Sequence, residues 1–378
     1  MPRIMIIHAP FGSGHKRAAL ALEQAFRRRQ PGQVEVVDIL DCTTPLVRDA
    51  YLQSYMQMTD KVPALWGYVY EQTDREVVRY TNSLRAVAND VGLWGLRRVI
   101  DKFEPKVIVC THFMPVEILS ARKRRAHFHV PLYCVLTDYA AHQFWAYRNV
   151  DGYFVATDDT RRQLVARGVA AELIRVTGIP VDPDISQPKE MAVVREARGL
   201  PPPTAQPVIT LFGGGLDAAT VRVIVEGLQA IELQATLVIV AGRTPHLLDE
   251  IGDLASNAHL RLHKLGFINY VDDLIVASDI VITKAGGLTV SEVLARATPM
   301  VIIDPIPGQE ESNLDYLVGM GAALGIRLPQ HLPFAVQTLL NDTARLAQMR
   351  IAAEHAARPR AALDIAEAVL RDLGELRV

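Results

Sequence analysis

Cysteine is scarce in this chain. The 378 residues hold three, Cys42, Cys110 and Cys134, none at the spacing of metal ligands. Cys110 and Cys134 fall in strand-like apolar runs, which reads as reduced, buried thiols of a cytoplasmic protein. Long hydrophobic runs are missing too: no uninterrupted apolar stretch approaches the length that spans a bilayer. The opening Met1-Pro2-Arg3-Ile4-Met5-Ile6-Ile7-His8 is a short strand leading into a glycine loop, not a signal peptide. There is no internal repeat and no low-complexity segment. Net charge is only −2, yet the halves differ: residues 1–180 carry 24 basic against 18 acidic side chains, and residues 181–378 carry 16 against 24. A basic first half suits an anionic surface, either a membrane or nucleic acid.

What is present is apolar and regular. With 49% hydrophobic residues, the chain is globular, and its length suits two domains. Apolar runs alternate with helical patterns in both halves, predicting parallel sheets flanked by helices. In the first half the expected strands are Ile4–His8, Val34–Asp38, Lys106–Cys110, Leu132–Leu136 and Gly152–Ala156. In the second they are Val208–Phe212, Ala235–Ala241, Ile280–Thr283 and Met300–Ile303. A Pro-rich stretch from Gly178 to Pro207 marks the joint between two doubly wound α/β domains with a cleft between them. The expected division is 1–180, 181–358 and a final helix, Arg360 to Leu376, within 359–378, which folds back on the first domain. The region Pro45–Phe103 breaks the alternation and reads as a helical insertion. It holds Tyr51, Tyr55 and Leu65-Trp66-Gly67-Tyr68-Val69-Tyr70 beside Arg75, Arg79 and Arg85, the residue types of an interfacial helix. Arg122-Lys123-Arg124-Arg125 adds positive charge in the same half.

Glycine loops of the best-known kinds are absent. Phe11-Gly12-Ser13-Gly14-His15 follows the first strand, without the third glycine and ribose acid of a dinucleotide site and without the Gly-Lys-Ser/Thr of a Walker loop. It offers an imidazole at a helix N-terminus, whose positive end lowers the pKa and favours the neutral, proton-accepting form. Phe212-Gly213-Gly214-Gly215 repeats the device. Most informative is Thr283-Lys284-Ala285-Gly286-Gly287-Leu288-Thr289-Val290-Ser291-Glu292. Its two glycines bring helix N–H groups to an anion such as a diphosphate, Lys284 adds a positive charge, and Glu292 suits a ribose diol. Gln309, Glu310 and Asn313 follow, with groups that fit sugar hydroxyls. Arg243 could reach phosphate or base, and Gly266-Phe267-Ile268 could hold an aromatic base. Phosphate, ribose and sugar partners in that order describe a nucleotide-sugar site. No Asp-x-Asp motif stands at a strand end to hold a metal-bound diphosphate, and Asp158-Asp159 and Asp272-Asp273 read as helix starts.

Together the segments FGSGH, TDYAAHQFWAYRNVDGYFVATDD, FGGG, TKAGGLTVSE and PIPGQEESN resemble the monogalactosyldiacylglycerol synthases and processive diacylglycerol glucosyltransferases of glycosyltransferase family 28. The resemblance runs over nearly the whole chain. It implies a GT-B fold: two Rossmann-like domains, acceptor on the N-terminal side and UDP-sugar on the C-terminal side. By position it implies His15 as general base, with Asp138 as the alternative. It implies donor contacts from Gly214, Gly215, Phe267, Ile268, Gly286, Gly287, Leu288, Thr289, Glu292, Gln309, Glu310 and Asn313; Gly14, Arg243 and Lys284 join this donor set from the residues themselves. It places Thr137, His112, Phe113, His142 and Trp145 near the acceptor. Two positions depart from the family: Ala285 stands where proline is usual, and Phe113 ends a Thr-His-Phe where Thr-His-Pro is usual.

The resulting expectation is an inverting transferase moving glucose or galactose from a UDP-sugar to a lipid, most simply diacylglycerol. It would need no metal or other cofactor and no nucleic acid, and would sit peripherally on the anionic cytoplasmic face of a membrane. The rivals are a UDP-sugar epimerase, which needs no lipid surface, and a UDP-sugar-binding sensor that turns nothing over.

Overall fold

The computed structural model describes residues 2–30, 32–46, 48–49, 94–125, 128–244 and 246–375. The chain forms two compact units. One is Met1–Asp184 with Pro307–Ser312 and Arg358–Val378; the other is Ile185–Ile306 with Asn313–Ala357. The aromatic part of the expected insertion, from Tyr51 through Arg85, lies outside the described residues.

The first unit runs β1 (Arg3–His8), α1 (Gly14–Arg29), β2 (Gln33–Asp38), α2 (Trp94–Phe103), β3 (Val107–Cys110), α3 (Phe113–Arg124), β4 (Leu132–Val135), β5 (Gly152–Val155), α4 (Asp158–Ala166) and β6 (Ile174–Val176). Its sheet is parallel, in the order β2-β1-β3-β4-β5-β6. Every residue of β3, β4 and β5 is buried, as a sheet covered on both faces requires, and their unbroken apolar runs are the sequence trace of that burial. The order reverses between β1 and β3. In such sheets ligands bind beyond the carboxyl ends of the strands at this switch point.

The second unit runs α5 (Met191–Ala197), β7 (Val208–Phe212), α6 (Ala218–Ala230), β8 (Ala235–Val240), α7 (Leu247–Glu250), β9 (Leu260–Leu265), α8 (Val271–Ala277), β10 (Ile280–Thr283), α9 (Gly287–Ala295), β11 (Met300–Ile303), α10 (Gln309–Gly319), β12 (Ala323–Ile326), α11 (Leu332–Asn341) and α12 (Thr343–Ala356). The first turn of α10 belongs to the 307–312 segment counted with the first unit. The second sheet is also parallel, ordered β12-β11-β10-β7-β8-β9, with its reversal between β7 and β10. Strands β6, β9 and β12 were not anticipated from the sequence, and all three are sheet edges.

One ion pair organises the second unit. Arg195 is fully buried; its Nε donates to the Ala277 carbonyl at 2.8 Å and its Nη2 to Asp279 Oδ2 at 2.7 Å. The same Asp279 oxygen accepts from the Val208 N–H at 2.8 Å, so α5, the end of α8 and the start of β7 meet on one carboxylate. Asp272 and Asp273 stand in the first turn of α8, as expected, and are held by Arg296, Lys189 and Arg198.

The last helix, α13 (Ala361–Asp372), is shorter than the expected Arg360–Leu376. Its apolar face, including Leu363, Ile365, Val369 and Leu370, packs with Ile4, Ile6, Leu22 and Phe26 in one core of the first unit. Asp372 anchors its end, accepting from the Tyr133 hydroxyl at 2.9 Å and pairing with Arg175 at 2.7 Å. Among the described residues no helix is long and apolar enough to cross a membrane.

Candidate functional site

Each switch point gathers a set of the residues singled out above. In the first unit the loop after β1 leads into α1, where His15 is the second helical residue. The loop after β3 brings Thr111 and His112, and the loop after β4 brings Thr137 and Asp138. The Thr111 carbonyl lies 2.7 Å from His15 Nδ1, the Thr111 hydroxyl donates to the His15 carbonyl at 2.9 Å, and the Thr137 hydroxyl lies 3.0 Å from Nδ1. A carbonyl can only accept, so the network assigns the proton of the neutral ring to Nδ1. Nε2 then keeps its lone pair and has no hydrogen-bond partner among the described residues. Loss of hydration pushes the His15 pKa down to about 4; the Thr111 carbonyl raises it in part and His8 lowers it further. The direction matches the sequence argument, but burial, not the helix end, is the largest cause.

Aromatic rings wall this imidazole. His112 meets His15 edge to face, with centroids 4.5 Å apart, and Trp145 lies 6.4 Å from it. Phe113 packs on His112 at 4.2 Å, on Phe144 at 5.2 Å and on Trp145 at 5.8 Å. His112 and His142 both spend Nδ1 on helix caps, accepting from the N–H groups of Met114 and Phe144 at 3.1 Å each. Burial holds His112 well below the usual imidazole range. His112, His142 and Trp145 are buried, whereas Phe113 and Asp138 are half-exposed. The threonines went unassigned in the sequence, Thr111 altogether and Thr137 beyond a place near the acceptor. Their one signal is a threonine just past an apolar run that ends at a switch point.

A pH dependence follows. Because His15 is neutral above about pH 4, activity that uses it as a base holds its plateau to about pH 5 and falls below that, instead of declining near pH 6.5. Stability moves the same way. The unfolded chain takes up this proton near pH 6.5, so the stability linked to neutral His15 is full above that value and is lost as pH falls toward 4. A kcat/KM profile and urea midpoints between pH 4 and 7 check both; an activity limb centred near 6.5 would contradict a buried base.

In the second unit the loops after β7 and β10 lie side by side. Gly215, with φ +85°, turns the chain into α6, and Asp217 caps that helix by accepting from Thr220 N–H at 2.7 Å. Lys284 Nζ lies 3.4 Å from both the Gly215 carbonyl and Asp304 Oδ2, linking the two loops. Gly286 caps α9, whose first turn holds Gly287, Leu288 and Thr289. Four successive N–H groups, Gly286 to Thr289, have no hydrogen-bond partner among the described residues. Glu292 is buried one turn further on, and Asn313 is fully buried with Nδ2 donating to the Ala285 carbonyl at 2.9 Å. Arg243 sits over the Phe267 ring at 5.2 Å, and that residue is 66% exposed, while Ile268 packs against the core formed by α5, β7, β8 and α8. Gln309 and Glu310 open α10, half-buried, in the segment that groups with the first unit, as does Gly14 at the start of α1. The arrangement provides a proton acceptor in one unit, and in the other an N–H cradle with a lysine, a carboxylate and an aromatic platform.

Comparison with known proteins is consistent along the chain. Residues 15–181 match the family described as monogalactosyldiacylglycerol (MGDG) synthase, and residues 208–367 match the glycosyltransferase family 28 C-terminal domain. A processive diacylglycerol beta-glucosyltransferase of Bacillus mycoides is 28% identical over 371 residues, covering 98% of this chain and 94% of its own. Among solved structures, Acinetobacter baumannii MurG superposes with a TM-score of 0.64 at 18% identity, covering 98% of this chain and 100% of its own. Anabaena HepE, solved in complex with UDP and glucose, gives 0.57 at 15% identity, with 100% of each chain covered. These last two likenesses concern the fold alone.

Proposed function

Because this chain belongs to the monogalactosyldiacylglycerol synthase and processive diacylglycerol glucosyltransferase group of glycosyltransferase family 28, we propose that it transfers a hexose from a UDP-sugar to a lipid hydroxyl, with diacylglycerol as acceptor. The observation that carries the reading is His15, its Nδ1–H tied to the Thr111 carbonyl and its Nε2 lone pair open. As the lipid oxygen attacks the anomeric carbon, Nε2 takes the hydroxyl proton, the bond from that carbon to the diphosphate oxygen breaks, and UDP leaves from the opposite face, inverting the centre. The imidazolium formed is held by the Thr111 carbonyl, as an orienting acceptor steadies other catalytic histidines. Asp138, next to Thr137, is the reserve base in this scheme.

Most of the donor contacts in this scheme lie in the second unit. The Gly286–Thr289 N–H groups and Lys284 face the diphosphate and stabilise the charge that develops on the leaving UDP, so the scheme uses no metal or other cofactor. Glu292 takes the ribose diol, Phe267 and Ile268 the uracil with Arg243 behind the ring, Gly214 and Gly215 the phosphates, and Gln309 and Glu310 the sugar hydroxyls. Phe113, with the buried His112, His142 and Trp145 behind it, forms the apolar approach for the acceptor. Contact with the bilayer is peripheral, on an anionic cytoplasmic face, through basic groups such as Arg122 and Arg124.

The test is transfer from labelled UDP-glucose and UDP-galactose, separately, to liposomes of diacylglycerol with anionic lipid, read by thin-layer chromatography. A labelled glycolipid from one donor supports the reading and names the sugar. UDP binding without any labelled lipid would move the assignment to another acceptor or to a sensor.

A further inference from the structure

We propose that Asn313 is a positioning residue which aims the Gly286 N–H at the donor diphosphate, and not a contact to the transferred sugar; this rests on the diphosphate reading of the turn given above. Three observations carry it. Asn313 has no exposed surface, and neither has Ala285, the residue its amide reaches. The Asn313 Nδ2 donates to the Ala285 carbonyl at 2.9 Å, from the second turn of α10 to the bend between β10 and α9. The third is the pair of glycines that follows, Gly286 and Gly287.

A trans peptide group is planar, with its C=O and N–H pointing in opposite directions. No peptide bond here is cis. Drawing the Ala285 carbonyl toward buried Asn313 therefore turns the Gly286 N–H the other way. That N–H stands next to those of Gly287, Leu288 and Thr289, which open along the axis of α9 and likewise have no partner among the described residues. Glycine lets the backbone come close to an anion, but it also leaves the peptide free to rotate, since no Cβ restricts φ at 286. The Asn313 amide removes that freedom before a ligand arrives, so the cradle does not have to be ordered on binding. Proline at 285, the residue usual in relatives of this motif, would stiffen φ there; this chain has alanine and relies on the side-chain bond.

The experiment compares Asn313→Leu, which keeps the volume and removes the donor, with the wild type by isothermal titration of uridine, UDP and UDP-glucose. UDP and UDP-glucose should each bind about tenfold more weakly, by the same factor, with uridine within about twofold of wild type. Weaker UDP-glucose with unchanged UDP would make Asn313 a sugar contact and overturn the proposal. An equal loss for uridine, or no loss for any ligand, would overturn it too. Wild-type UDP binding no tighter than uridine would sink the diphosphate reading itself, a result visible before any variant is made. If Asn313→Leu lacks the cooperative unfolding of the wild type, Asn313→Ala is read against the same three ligands.

Discussion

His15→Ala lowers kcat by roughly a hundredfold or more, while UDP affinity stays at its wild-type value. A positioned base contributes about 10²–10⁴-fold, and the reserve base, Asp138, recovers only part of it. His112 shares the wall, but its Nδ1 is used in capping α3 and burial already opposes its protonation. The Gly286–Thr289 turn belongs to the other unit, so removing an imidazole from α1 leaves it as it was. Steady-state kinetics on liposomes with parallel UDP titration decide the matter. A matching loss of UDP affinity would make His15 a donor-binding or structural residue. The acid limb of the rate profile supplies a second reading: in the variant, the limb assigned to a pKa of about 4 should vanish along with most of the activity.

Asp279→Ala destabilises the second unit by about 2–4 kcal/mol, somewhat under the usual figure for breaking a fully buried pair because Asp279 retains some exposure. The loss comes mainly from what stays behind. Arg195 has no exposed surface, and without Asp279 its guanidinium keeps the Ala277 carbonyl as its short neutral acceptor, while the Val208 N–H loses its acceptor altogether. Urea unfolding followed through the transition measures this. The double variant Arg195→Met, Asp279→Ala should recover much of the loss, since an apolar side chain asks for no partner. A single variant within about 0.5 kcal/mol of wild type would show that water reaches the arginine and that the pair contributes little.

What could be read from the sequence divides along physical lines. Interior strands such as Val107–Cys110 and Ile280–Thr283 are buried on both faces and leave unbroken apolar runs, so they were legible. Of the edge strands only β2 was; β6, β9 and β12 were not. Leu260-Arg261-Leu262-His263-Lys264-Leu265 mixes polar and apolar residues because part of it meets water, and Ala323-Leu324-Gly325-Ile326 contains glycine. The glycine loops stood out because the residues needed for close approach sit together in the chain. Thr111 lies 96 residues from His15 and Thr137 lies 122 away, so only the strand order reveals that they share one imidazole. Arg195 in Arg195-Glu196-Ala197-Arg198 looks like any solvated helix residue; its burial depends on α8 and β7, far along the chain. The cause of the low His15 pKa differs from the sequence reading for a related reason: a helix end is visible in a sequence, whereas a wall of rings from two distant loops is not.

The helix α13 also bears on how the protein is made. Synthesis delivers β1 and α1 before the second unit, yet Ile4, Ile6, Leu22 and Phe26 wait for Leu363, Ile365, Val369 and Leu370, which are translated after it. The second unit is complete by Ala357, so it can finish while the first still shows an open apolar face to the ribosome exit and to chaperones. Birth order and folding order are therefore reversed at the N-terminus. A premature stop a few codons before Arg358 should yield a chain with an intact second unit and an aggregating first unit.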